Sequence, residues 1–326
     1  MYWYRILGIL PLIVASGCAR HADCARAPIN SVSNQLLSDP SDAVFVSAPG
    51  GRNLTSEFTQ RFNASTNTEC AKAFEGCDVL LIHGWLGEVA IKLTSFLDTL
   101  KGNQRILDYL KDQRCAADEM GLCAAAPAYR SETVCACGDK IARIIASNPR
   151  PVILVCHSKG CLDTLDALLK LQRSGQLNNV AGWIALQGPF YGTEEAATFL
   201  NRGNPIGRLR IRMLGANPDG VRDMTPAVRK QYMAENQTQI ATLIQSVPMI
   251  CFASWTTPAR ENEALSDGHV TPESAILPGS DYIAKCGISH SMPVIGRKNT
   301  PFDRVTFTKT MLTLLGERVH SASKKQ

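Results

Sequence analysis

The chain has 326 residues, 45% of them hydrophobic and 19% charged, with a formal net charge of +5 at pH 7. This length suits one domain carrying an insertion or two small domains, and the lack of internal repeats or low-complexity linkers favours one. The positive excess is mild and spread along the chain. It gives no warrant for nucleic-acid binding, and it does not oppose contact with an anionic membrane surface.

The N-terminus reads as a targeting segment. Met1-Tyr-Trp-Tyr-Arg5 supplies one positive charge, and Ile6 to Val14 is an apolar run too short to span a membrane. Val14-Ala-Ser-Gly-Cys18 follows. It resembles the lipobox of bacterial lipoproteins, which implies lipidation of Cys18 after removal of residues 1–17. An ordinary signal peptide cut near Gly17 is the alternative. Either way the sequence predicts an exported protein, anchored in the cell envelope or secreted. Residues 18–43 read as a flexible polar leader, and 44–320 as the folded body.

Ala43 to Ala48 reads as an edge strand stopped by Pro49-Gly-Gly51. Asp78-Val-Leu-Leu-Ile82 is a buried-strand pattern that runs into His83-Gly-Trp-Leu-Gly87. Residues 88–109 read as helix, 114–128 as a Cys/Ala-rich loop tied by a disulfide, and 132–147 as helix. Pro151-Val-Ile-Leu-Val155 is a second apolar strand. It ends in Cys156-His-Ser-Lys-Gly160 and turns at once into the helical pattern of 161–169.

A strand that ends in x-His-Ser-x-Gly and opens a helix is the signature of a nucleophile elbow. The sharp turn exposes Ser158, and the helix N-terminus offers backbone N–H groups to a developing oxyanion. Strand and helix backbones come close there, so small residues are needed two before and two after the serine. Cys156 and Gly160 meet that need.

Trp183 to Leu186 is the next strand. Residues 193–246 form a long insertion with helical patterns near 194–200 and 226–244, expected to be a lid or cap. Its apolar residues, including Phe199, Tyr232, Met233, Ile240, Leu243 and Ile244, are expected to form the inner face of that cap. Val247 to Ser254 reads as a strand leading to Ser266-Asp-Gly-His-Val270, and Asp281 to Cys286 gives way to Gly287-Ile-Ser-His290. A closing helix covers 302–315. Alternating strands and helices imply a doubly wound, mainly parallel sheet with helices on both faces and sites at the strands' carboxyl ends.

The serine needs a base, because a free hydroxyl is a poor nucleophile at neutral pH. The chain has six histidines. His290 with Asp267 gives the order Ser, Asp, His, with His269 as the rival base. His83 reads as a structural residue, and His157 as a side chain pointing away from the catalytic face. Asp163 and Asp166 read as partners in local polar contacts, and Asp281 as a strand-edge carboxylate.

Five segments carry a resemblance: Leu81–Gly87, Val155–Gly160, Ala185–Thr193, Ser266–Val270 and Gly287–His290. Together they resemble the bacterial lipase and esterase group of the α/β-hydrolases. The resemblance implies a serine ester hydrolase acting on acyl esters or lipids through an acyl-enzyme. Ser158 is then the nucleophile, His290 the base and Asp267 its acid, with the backbone N–H groups of Trp85 and Lys159 forming the oxyanion hole. Acyl transfer by the same triad is the alternative within enzymes. A non-catalytic surface lipoprotein on the same scaffold is the alternative outside them. No cofactor or metal is expected: calcium-binding members place a ligand just after the histidine, and here Ser291-Met-Pro-Val294 follows.

Twelve cysteines fit an oxidising compartment. Candidate bridges are Cys70 with Cys77, Cys115 with Cys123, Cys135 with Cys137, and Cys251 with Cys286. Lipidation of Cys18 leaves an odd thiol, for which Cys156 or Cys161 is the expected residue.

Overall fold

A computed structural model describes residues 51–64, 73–85, 108–127, 129, 131–201, 217–256, 264–296 and 302–323. The signal peptide, Cys18, the leader, the strand expected at 43–48 and the helix expected at 88–107 lie outside the described residues.

Six parallel strands form the main sheet. They are β1 (Asp78–Ile82), β3 (Cys123–Ala125), β4 (Val152–His157), β5 (Val180–Leu186), β6 (Met249–Trp255) and β7 (Asp281–Cys286). The spatial order is β3-β1-β4-β5-β6-β7. A separate antiparallel pair joins β2 (Asp108–Tyr109) to β8 (Ile295–Gly296). The central strands read as unbroken apolar runs because both faces of a parallel sheet are covered. In β4, Val152, Leu154 and Cys156 enter one core, while Ile153 and Val155 enter the other.

On the first face lie α3 (Val134–Ser147), α4 (Lys159–Arg173) and α8 (Gln237–Ser246). On the second lie α1 (Thr55–Ala64), α2 (Lys111–Glu119) and α9 (Arg304–Ser323), where Phe58, Phe252 and Phe307 meet edge to face or tilted. Three shorter helices, α5 (Glu194–Leu200), α6 (Pro218–Arg222) and α7 (Pro226–Glu235), complete the described part of 193–246. Residues 52–54 run along the outer edge of β7. Leu54 N–H donates to the Tyr282 carbonyl (2.8 Å), Tyr282 N–H to the Arg52 carbonyl (2.9 Å), and Ala284 N–H to Thr55 Oγ1 (2.9 Å).

Three expectations are corrected. Residues 114–128 are not a loop: α2 and β3 occupy them, and α2 packs against α9. Asp108–Tyr109 is a strand rather than the end of a helix. The cysteine pairings also differ. Cys123 is disulfide-bonded, but Cys115 keeps a buried thiol, so those two do not bridge. Cys77 keeps its thiol, which excludes a bridge to Cys70. Cys135 and Cys137 are both thiols, two apart on α3 and so on different faces. In register, Cys251 faces Tyr282 and Cys286 faces Trp255. The two thiols are thus offset by four residues along the strands, roughly 13 Å, beyond disulfide reach.

α8 lies flat on α4, and Ile240 and Leu243 enter the first core. It is the crossover helix between β5 and β6. Those two residues fill the body of the protein rather than the inner face of a cap.

Candidate active site

At the carboxyl end of β4 the chain turns sharply. Ser158 takes φ 53° and ψ −130°. A positive φ in a non-glycine residue costs on the order of 1–3 kcal/mol and persists only where the surroundings over-determine it. Here Ser158 N–H donates to the Leu186 carbonyl and the Ser158 carbonyl accepts from Cys161 N–H, each at 2.9 Å. Two glycines let the backbones meet. A Cβ on Gly160 would fall 2.4 Å from the His83 carbonyl oxygen, and one on Gly84 would fall 3.0 Å from Ser158 Cβ. The His83-Gly84-Trp85 turn therefore lies directly against the elbow. Cys156 fits its position beside Cys161, with the two Sγ atoms 3.0 Å apart and both side chains buried.

Lys159 is the first residue of α4, and N–H groups of a first helical turn have no acceptor within the helix. Its side chain is unexpectedly buried. Nζ lies 2.7 Å from Asp163 Oδ1, four residues on, with both side chains almost fully enclosed. Burial pushes the Lys159 ammonium down, but Asp163 and Cys137 outweigh this and hold it above its ordinary value. Burial lifts the Asp163 carboxyl to about 6 against the pull of Lys159. Asp166 bonds Lys170 (2.8 Å) and accepts from the Tyr232 hydroxyl (3.1 Å). Asp281 sits at the start of the edge strand β7 beside Arg52 and Arg318.

The loop after β6 holds Asp267, which is buried. Oδ1 accepts from the backbone N–H groups of His269 (3.0 Å) and Val270 (2.8 Å). That leaves Oδ2 facing His290 Nδ1 at 2.8 Å. A buried carboxylate accepts, so Nδ1 carries the imidazole proton and Nε2 is left with a lone pair able to accept one. The Asp267 loop is pinned to the turn after β5. Thr193 Oγ1 donates to the His269 carbonyl (2.6 Å), and Ser274 Oγ donates to the Gly192 carbonyl (2.7 Å).

The other histidines divide clearly. His269 is half-exposed and its Nδ1 pairs with Glu195, whose hydrogen bond raises its pKa. His83 is buried, stacks on Tyr129 and directs its ring nitrogens at the Gly84 and Tyr129 carbonyls. His320 lies exposed near the end of α9, and His21 falls outside the described residues. His157 departs from expectation. Its ring does not point away: it lies 4.7 Å from the His290 ring, and Nε2 donates to the His290 carbonyl at 2.8 Å. The loop that carries His290 folds down over the end of β4 and meets it there. Gln187 belongs to none of the sequence motifs' catalytic positions, yet it is buried, takes φ 52°, and donates to Ser254 Oγ (2.6 Å) and the Ser289 carbonyl (3.2 Å).

Phe199 of α5 lies 6.1 Å from the Trp85 ring, centroid to centroid, which sets the start of the insertion over the His-Gly-Trp turn. A cavity of about 640 Å³ opens beside the Asp267 loop, lined among others by Tyr191, Glu195, Pro226, His269 and Glu273. Cys18 lies outside the described residues.

The sheet order, the strand-turn-helix at Ser158 and the loops after β6 and β7 define an α/β-hydrolase fold. The solved structure of a metagenomic carboxyl esterase superposes with a TM-score of 0.59 at 19% identity, over 74% of this chain and 76% of that one. A Bacillus licheniformis lipase in its mature form gives 0.48 at 19% identity, over 73% and 88%. In sequence, the mouse (Mus musculus) phosphatidylcholine-sterol acyltransferase is 31% identical over 121 residues, 35% of this chain. The chain spans only 27% of that acyltransferase's length. No family model matches the chain.

Proposed function

We propose that the protein is a serine ester hydrolase of the lipase and esterase kind. The supporting observation is the strained Ser158 at the elbow together with the Asp267–His290 hydrogen bond of 2.8 Å. In this reading Ser158 Oγ attacks the ester carbonyl carbon while His290 Nε2 takes its proton. The tetrahedral oxyanion is held by the N–H groups of Trp85 and Lys159. As the C–O bond breaks, His290 returns the proton to the leaving alcohol. Water, deprotonated by the same histidine, then attacks the acyl-enzyme, releases the acid and regenerates Ser158. Asp267 orients the imidazole and stabilises the imidazolium.

Helix α5 belongs to the cap in this proposal, with Phe199 over Trp85, and the acyl chain lies beneath it. Each buried methylene is worth about 0.8 kcal/mol, so kcat/KM should rise about fourfold per carbon until the pocket is full. The lipobox-like Ala15-Ser-Gly-Cys18 supports a lipid anchor that brings this site to a membrane surface.

The second reading is acyl transfer, in which an alcohol replaces water in the last step. The 31% identity to an acyltransferase supports it. A chain-length series of p-nitrophenyl esters, run with and without an added alcohol, tests both. Hydrolysis rising with chain length supports the first reading, and new ester formed at the expense of acid supports the second. Inactivity towards every ester, with labelling by a fluorophosphonate absent, would leave a binding scaffold.

A further inference from the structure

The loop that carries His290 has no regular element to hold it. Strand β7 ends at Cys286, and residues 287–294 are turns and irregular backbone. Gln113 of α2 donates to the Pro293 carbonyl at the loop's far end, and two carbonyls beside the imidazole receive side-chain donors from the ends of β4 and β5. His157, the last residue of β4, donates Nε2–H to the His290 carbonyl at 2.8 Å. Gln187, the residue after β5, donates Nε2–H to the Ser289 carbonyl at 3.2 Å. A carbonyl only accepts, so Nε2 is the protonated nitrogen of His157.

Both side chains are buried and fixed in turn. Gln187 N–H bonds the Phe252 carbonyl at 2.8 Å, and its amide also donates to Ser254 Oγ at 2.6 Å. This aim comes with a positive φ of 52° at Gln187, a conformation a non-glycine residue seldom adopts without structural cause. His157 and Gln187 also interact with each other. Burial, with the nearness of His290 next, holds the His157 pKa well below its ordinary value, which favours the neutral ring.

We infer that His157 and Gln187 are positioning residues that clamp the Ser289 and His290 carbonyls and thereby fix the base above the elbow. This rests on the reading of His290 as the base. Asp267 sets the rotation of the imidazole, and the clamp sets the height and tilt of the backbone beneath it. Misplacement of a reacting group by about 1 Å can cost on the order of 100-fold in rate.

The experiment measures kcat and KM on p-nitrophenyl butyrate, fluorophosphonate labelling rate and thermal unfolding for His157→Leu, His157→Gln, Gln187→Met, Ser158→Ala and His290→Ala. His157→Leu and Gln187→Met should each lower kcat and labelling rate about 10- to 100-fold, with KM within about twofold of the parent. His157→Gln, whose amide reaches near the Nε2 position, should recover most of the loss. A parental kcat in both His157→Leu and Gln187→Met, or a loss confined to KM, overturns the clamp while Ser158→Ala and His290→Ala remain inactive. An active His290→Ala overturns instead the reading of the base. If His157→Leu does not fold, Gln187→Met decides alone: an unchanged kcat overturns the clamp, and a selective fall supports it.

Discussion

His290 is tied twice to Asp267. Its Nδ1 meets the Asp267 carboxylate at 2.8 Å, and its backbone N–H donates to the Asp267 carbonyl at 2.8 Å. The two residues, 23 apart in sequence, are thus held together at two points. His269 has no such tie to Asp267 Oδ2; its ring pairs with Glu195. Asp267→Asn should therefore lower kcat on the order of 10³- to 10⁴-fold, and His290→Ala should be at least as severe. His269→Ala should retain activity within about tenfold, short of the loss that removing a general base brings, because the Asp267–His290 pair stays intact. Steady-state kinetics on one short ester checks all three, and a His269→Ala protein worse than His290→Ala reverses the assignment.

Gly160 should not tolerate a methyl group. Its Cβ would lie 2.4 Å from the His83 carbonyl oxygen and 2.9 Å from that of Ile82, both backbone atoms. Gly160→Ala should lose about 1–3 kcal/mol in urea unfolding. Activity should fall more steeply, because the strand carrying the His-Gly-Trp turn is pushed away from Ser158. Gly84→Ala, at 3.0 Å from Ser158 Cβ, should keep more of the stability and still lose activity. Equal behaviour of the two variants would contradict this ordering.

The enclosed Lys159–Asp163 pair should show the asymmetry of buried ion pairs. Asp163→Ala leaves an ammonium with no carboxylate at 2.7 Å and should cost about 3–5 kcal/mol. The double change Lys159→Met with Asp163→Leu removes both charges, keeps similar volume and should lie within about 1–2 kcal/mol of the parent. Denaturant midpoints of the three proteins test this, together with fluorophosphonate labelling to follow the elbow.

The same aspartate has a pH signature. Burial lifts its carboxyl from the ordinary 3.8 to about 6 in the folded protein. Between those two values the unfolded chain has released the proton and the folded one still holds it. The folded state binds more protons, so this contribution to stability is fully present below about pH 4 and lost as pH rises through about 6. Urea midpoints from pH 4 to 7 should therefore show a downward contribution in the parent that is missing in Asp163→Asn. An identical slope in both proteins would refute it.

Much of this architecture is legible in the residues, for identifiable reasons. β1 is found to the residue, because Val79–Ile82 is a continuous apolar run bounded by Asp78 and the His83-Gly84 turn. The elbow is found because only a small residue can stand at 160, whatever the surroundings. α2 escapes such a reading because its buried residues, Gln113, Cys115, Ala116 and Ala117, form a weak stripe whose support comes from packing on α9. His157 is expected on the wrong side because alternation along a strand says nothing of a loop 133 residues later that folds over its end. Gln187 lies in a segment that carries the resemblance, but nothing in the sequence marks its contacts, which depend on a backbone twist and on partners 67 and 102 residues away.

The strip formed by residues 52–54 along β7 also governs how the molecule meets copies of itself. A bare parallel edge is a template on which another chain can add a strand. Here the outward N–H groups of Tyr282 and Ala284 are already taken by Arg52 and Thr55. At the opposite edge β3 is only three residues long, too short to register a neighbour. Among the described residues neither border of the main sheet offers a docking rail, so crowding at a surface should not by itself zip these sheets into fibrils.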